Sequence, residues 1–273
     1  MSCGRGSPSA KWGAIVERMH DCLGEINVSL GRGIGFSPID CKSWAYGLIV
    51  GRAFRDERQS REDFMASFAP AWTHYQAWFR EQSIATFYGL PESSPLHRFP
   101  AWAHVLPWGE RSPKEMMRWL PSRIRRNRNF HGAKIPAWAG RGKIMHLDSL
   151  ASTDSHGKQF FELSKAVCSQ GFWDRCNLED PFRVWLLARG AATRWLVYSG
   201  NHRVAAIAAN GLQSVHAELQ ARVVEEDVSR WPNVANQSFT EDEALTIFDN
   251  LWNGRLNEST ARMISSLPGI KTA

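Results

Sequence analysis

What this chain has little of narrows it first. Among its 273 residues are five cysteines, Cys3, Cys22, Cys41, Cys168 and Cys176, an odd number with no C-x-x-C pair. That pattern argues against a disulfide framework or a cysteine zinc motif and reads as reduced thiols. No H-E-x-x-H occurs either, so no structural metal site is expected. No apolar run approaches the roughly eighteen residues that a membrane-crossing helix needs. The first residues, Met1 to Trp12, lack the apolar stretch of a signal peptide. Together these absences predict a cytoplasmic protein with no membrane span.

What is present is globular in composition, 43% hydrophobic and 22% charged. The net charge is +6, and it is unevenly spread. Arg111, Lys114, Arg118, Arg123, Arg125, Arg126, Arg128, Lys134, Arg141 and Lys143 face a single acid, Glu115, in the same stretch. A cluster of this kind favours phosphates, on a nucleotide, on a substrate, or on nucleic acid through the Arg123–Arg128 patch. A solvated basic helix face reads equally well.

The chain divides by pattern. Residues 1–11 are rich in Gly and Ser and read as a disordered tail. Residues 12–135 read as a helical, aromatic-rich domain. Its first stripe is Trp12, Ile15, Val16, Met19 and Leu23. Gly31 to Gly35 lacks the Gly-Lys-Ser/Thr of a phosphate loop and is taken as a turn. Helices are predicted over 41–54 and over 61–88, the second kinked or restarted at Pro70. Phe64, Phe68, Trp72, Tyr75, Trp78, Phe79 and Phe87 recur there at helical spacing and form a candidate core. Ser112, Pro113 and Glu115 open a further helix, expected to end near Leu120 and Pro121 with a second run through Phe130. Residues 133–142 have linker composition, which places a boundary near 135.

Residues 143–224 alternate short apolar runs with helical ones, a small α/β unit. Residues 225–273 read as a helical extension, with Thr240 to Glu243 as a capping box and Gly254 as a stop. The fold class expected is α+β: a mainly helical N-terminal region, a small α/β domain with a mixed sheet, and a C-terminal helix.

The centre of that α/β unit is the stretch from Trp195 to Leu219. Trp195 to Tyr198 suits a buried strand, Ser199-Gly200-Asn201 breaks it, and Arg203 to Ala209 has the alanine content of a helix. A strand turning on Gly into a helix gathers backbone N–H groups at the positive end of the helix dipole, a seat for phosphate. His202 and Arg203 would stand beside it as side-chain donors.

The run Gly200, Asn201, His202, Arg203, Val204, Ala205, Ala206 resembles the G-x-x-R-x-x-A turn of the ParB/sulfiredoxin-like superfamily. Its His-Arg pair is similar to the sulfiredoxin and free-serine-kinase branches. The likeness spans roughly residues 143–224, with Lys143–Leu150 as the opening strand and Phe160–Ser169 as the first helix. Gly171, Pro181 and the run from Phe182 to Leu187 would follow. It implies a nucleotide, ATP or CTP with Mg²⁺, held by Ser199, Gly200, Asn201, His202, Arg203, Ala206 and Lys158. The reactive cysteine of sulfiredoxin is replaced by Asn201, which has no thiol, so sulfinic-acid reduction is not expected. Ser199 stands where the serine-kinase branch has its aspartate. His202 and Asp148 are the catalytic candidates, with Asp154, Glu162 and Glu218 as further acids near the mouth.

Three functions remain open from sequence. The preferred one is a nucleotide-dependent phosphotransferase or hydrolase acting on a small molecule. The others are a non-catalytic nucleotide- or partner-binding module, and a ParB-like nucleic-acid-binding or nuclease protein.

Overall fold

The computed structural model describes residues 26–29, 33–34, 45–55, 58–126, 141–168, 182–210, 214–255 and 257–268. Three long strands form the middle of a mixed sheet: β3 (Phe182–Arg189), β4 (Ala192–Ser199) and β5 (Ser214–Val224). Two short strands, β1 (Ile26–Ser29) and β2 (Gly33–Ile34), complete it in the order β1-β5-β3-β4-β2. β3 and β4 are an antiparallel hairpin turning at Gly190, whose φ of 53° is the left-handed conformation that glycine adopts without strain. β5 runs parallel to β3, with the helix α6 (Asn201–Ala209) in the crossover.

One face of the sheet is covered by helices. Val184, Trp195, Val197, Ala217 and Leu219 pack there against Val204, Ala206 and Ile207 of α6 and Val167 of α5 (Arg141–Cys168). The other face offers Leu187, Leu196 and Val223 to two distant segments, residues 84–108 and 231–252. These include α3 (Ile84–Tyr88), α7 (Pro232–Ala235) and α8 (Glu241–Asn253). A second core joins α1 (Ala45–Ala53) and α2 (Arg61–Glu81) to Phe160, Phe161 and Ala205, and to Met263 and Ile264 of α9 (Glu258–Ser266). Two of the three cores therefore draw on both sides of residue 135.

The aromatic spacing read from sequence builds α2 as expected. Phe64, Phe68 and Trp72 lie four apart on one face, with successive ring centroids 5.3 Å apart and nearly parallel. Ser60 caps the helix by accepting from the Asp63 N–H at 3.1 Å. Pro70 lies inside it, and the break comes instead at Gln82 and Ser83, where Ser83 caps α3. Ser112 and Glu115 form the expected box at the start of α4 (Pro113–Arg126), and Thr240 with Glu243 forms the one opening α8. Pro121 does not stop α4: its ring is buried and it removes one intrahelical bond.

One expectation fails at α5. Lys143–Leu150 is not an opening strand; it lies within one helix continuous with Asp154–Gly157 and Phe160. Ile144, Leu147 and Leu150 recur every three residues, a helical period, and Ile144 is the only β-branched residue of the run. No proline interrupts the stretch. Gly157 lies where the helices touch: a Cβ there would clash with Met65 and lie 3.1 Å from Phe68 Cδ1. The sheet edge beside β5 is taken by Ile26–Ser29, a segment that carried no strand expectation. Gly33 and Ile34, inside the expected turn, pair in parallel with Trp195 and Leu196. Between α8 and α9, Asn257 caps α9 through Oδ1 and donates from Nδ2 to the Thr86 and Phe87 carbonyls. The proposed first helix at residues 12–23 and most of the linker expected over 133–142 lie outside the described residues, and the last two linker residues, Arg141 and Gly142, open α5 instead. No helix among the described residues is long and apolar enough to cross a membrane.

Candidate functional site

β4 ends at Ser199, and the chain reverses on Gly200 into α6. Gly200 has φ 93°, a conformation that L side chains rarely adopt, so the bend depends on glycine. The first intrahelical bond runs from the Val204 N–H to the Gly200 carbonyl at 2.9 Å. The N–H groups of Asn201, His202 and Arg203 precede it, and an α-helix leaves such groups without intrahelical partners. Ser199, Gly200, Asn201 and Arg203 are each partly exposed, so the mouth of the turn meets solvent. Asn201 Oδ1 is buried and accepts no hydrogen bond from the described residues.

Behind the mouth α6 is closed off. Val204, Ala205, Ala206 and Ile207 are each at most 1% exposed. Ala206, expected at the ligand, is a packing residue against the sheet. His202 turns away from the mouth into a stack of rings. Its centroid lies 5.3 Å from His156 and 4.8 Å from Phe160, and both of those rings contact Trp72. The imidazole thus joins the turn to the aromatic ladder of α2.

The remaining candidates are scattered. Lys158 is exposed on α5, two residues from His156 and from Phe160, and therefore on the far side of that helix from the turn. Asp148 lies in the first half of α5, and its side chain is outside the described residues. Asp154 is exposed and paired with Arg61 at 3.0 Å. Glu162 is exposed on α5. Glu218 receives Arg183 Nε at 3.2 Å. Of the basic patch, Arg123, Arg125 and Arg126 end α4, while Arg128 lies outside the described residues. Further up that stretch Arg111 covers the Trp119 ring at 4.4 Å, and Ser112 holds the Glu115 carboxyl below its ordinary range. Among the described residues no three His, Cys, Asp or Glu side chains gather where a metal ion would sit.

Sequence reasoning missed what stands on the sheet next to the turn. The β3–β4 pairing steps from Val184↔Val197 to Arg183↔Ser199, so Tyr198 is an extra residue in a bulge. It is 43% exposed, the one large hydrophobic side chain among the described residues to be so. Its ring centroid is 4.7 Å from Trp185, which meets Trp108 edge-on. Arg183 and Glu218 lie one and two strands further across. Tyr198 sat in an apolar run and read as buried; a pairing step between strands leaves no mark in local periodicity. Compared with protein-family models, with curated proteins and with solved structures, the chain matches none.

Proposed function

We propose that this chain binds a nucleoside triphosphate, ATP or CTP, with its phosphates at the Gly200 turn. The observation that carries the reading is the bend itself. A buried strand reverses on a positive-φ glycine into a helix whose first turn, Asn201 to Arg203, is partly exposed and whose first intrahelical bond starts only at the Val204 N–H. Oriented N–H groups at the positive end of a helix stabilise anions, and a nearby guanidinium adds to that. Asn201 Oδ1, enclosed beside the bend, is an acceptor with no partner among the described residues. The likeness of the turn to the ParB/sulfiredoxin-like motif supports the same ligand class. Mg²⁺ would arrive with the phosphates and neutralise their charge.

Binding is the core of this reading. Phosphoryl transfer or hydrolysis extends it and calls for a proton acceptor at the mouth. With its ring packed between His156 and Phe160, His202 acts as the anchor of the turn, and the acid would come from the carboxylates named from sequence, Asp148 first among them.

The test is calorimetric titration of the full chain with MgATP and MgCTP, alongside Asn201→Asp. An aspartate in the first helical turn gains about 0.3–1 kcal/mol from the helix dipole, but it encloses a charge where Asn201 Oδ1 is buried, so Tm is recorded beside affinity and binding is read where the variant is folded. The same carboxylate repels phosphate, so affinity should fall at least about ten-fold. Absence of binding by the unaltered chain, or binding indifferent to Asn201→Asp, would sink the proposal. Phosphate release from MgATP then decides whether turnover accompanies binding.

A further inference from the structure

We infer that Tyr198 and Trp185 form a stacking platform for the base of the nucleotide whose phosphates occupy the Gly200 turn, an assignment resting on that phosphate reading. The two rings lie on the opposite face of the sheet from α6. Trp185 pairs with Leu196, and both pack with the segments covering that face. The chain has expended a bulge to present Tyr198 there: the pairing step between Arg183 and Val184 leaves Tyr198 without a partner on β3 and frees its ring. A second step lies at the same level on the other side of β3, between Val184 and Trp185 against β5. Bulges re-aim side chains, and here both neighbours of one strand are bulged within a residue of each other.

The chemistry of the patch fits a planar, polar-edged ring. A tyrosine that remains 43% exposed beside a half-buried tryptophan forfeits burial, and base–aromatic stacking recovers such surface for any base with a π-face. Arg183 and Glu218 form a half-exposed ion pair across the next two strands. That pair uses Nε and Oε2, which leaves the outer guanidinium nitrogens as donors and the second carboxylate oxygen as an acceptor for a polar ring edge. The reach is suitable. Tyr198 precedes Gly200 by two residues, about 7 Å of extended chain, the order of length that a ribose and its first phosphate span.

The experiment compares three probes on the full chain: MgATP, MgCTP and inorganic tripolyphosphate with Mg²⁺. For the unaltered protein both nucleotides should bind about ten-fold or more tightly than tripolyphosphate. Tyr198→Ser should erase that difference, leaving tripolyphosphate affinity unchanged, while Tyr198→Phe should preserve it. Tyr198 is exposed, so neither variant should disturb folding, and tripolyphosphate binding serves as the control for an intact turn. If tripolyphosphate binds and the nucleotides bind no better, or if Tyr198→Ser leaves the difference intact, the platform is overturned while the phosphate seat stands. If none of the three probes binds, both assignments fall together.

Discussion

His104 illustrates how one enclosed side chain makes the fold sensitive to acid. Its ring sits among Phe79, Phe87 and Tyr88, and its Nδ1–H donates to the Ala101 carbonyl at 2.8 Å. The residue keeps some exposed surface, yet Nε2 is buried, and the nitrogens are what desolvation acts on. Burial pulls its pKa down to about 4, against a smaller opposing effect of the Ala101 bond. An unfolded histidine titrates near 6.5. Between those values the unfolded chain binds a proton that the folded chain refuses, so stability present above about pH 6.5 is lost as pH falls toward 4. The loss should reach roughly 3 kcal/mol at most. Chemical denaturation from pH 7 to 4.5 should show it, and His104→Phe should flatten that portion of the curve. Equal slopes for the two proteins would assign the acid sensitivity elsewhere. At the turn, the glycine, the helix start and the family-like motif were all legible from residue order. The inward rotation of His202 was not, because the rings that receive it, His156 and Phe160, come from α5, more than forty residues away in sequence.

At the level of elements, local signals located most boundaries. Ser112 and Thr240 cap helices as read, and Gly254 ends one in the left-handed conformation, whereas the Ser83 cap splits the helix expected over 61–88. Reading failed where two outcomes shared one composition. Lys143–Leu150 was short and apolar enough for a strand, but its three-residue period and its continuity with the following helix decided for α5. Pairing partners such as Ile26–Ser29 are selected by the edge they meet, and nothing in a four-residue run announces that. The contact between α5 and α2 at Gly157 gives a sharp test of this packing. Alanine is favoured over glycine inside a helix by about 1 kcal/mol, whereas overpacking a filled interface costs roughly 1–3 kcal/mol. Met65 can swing aside, but Phe68 is fully buried and held between Phe64 and Trp72. Gly157→Ala should therefore lower the unfolding free energy by a net 1 kcal/mol or so, read as a lower urea midpoint. A higher midpoint would mean that the helices are not in contact at that residue.

For the whole molecule, the cores matter more than the order of segments. The sheet's second face is roofed by residues 84–108 and by α8, which are themselves tied together through Ser94 and Glu243 and through Asn250 and the Tyr88 carbonyl. Arg189 at the hairpin is held by Glu225 and Asp249 against the rings of Phe248 and Trp252. A fragment of residues 143–224 would leave Leu187, Leu196 and Val223 in water. Such a fragment should bind a hydrophobic dye and show broad amide signals, and the full chain should melt in one transition by fluorescence and circular dichroism alike. Two well-separated transitions would show that the halves fold on their own. The hairpin has a practical corollary. Its tip at Gly190 and Ala191 stands in open space, and a Cβ built on Gly190 meets nothing within 4 Å. The eight residues of β4 put that tip about 27 Å from the Gly200 bend. An anchoring tether attached at Ala191 would hold the protein on a sensor chip by one extremity, leaving the opposite extremity bathed in the flowing analyte.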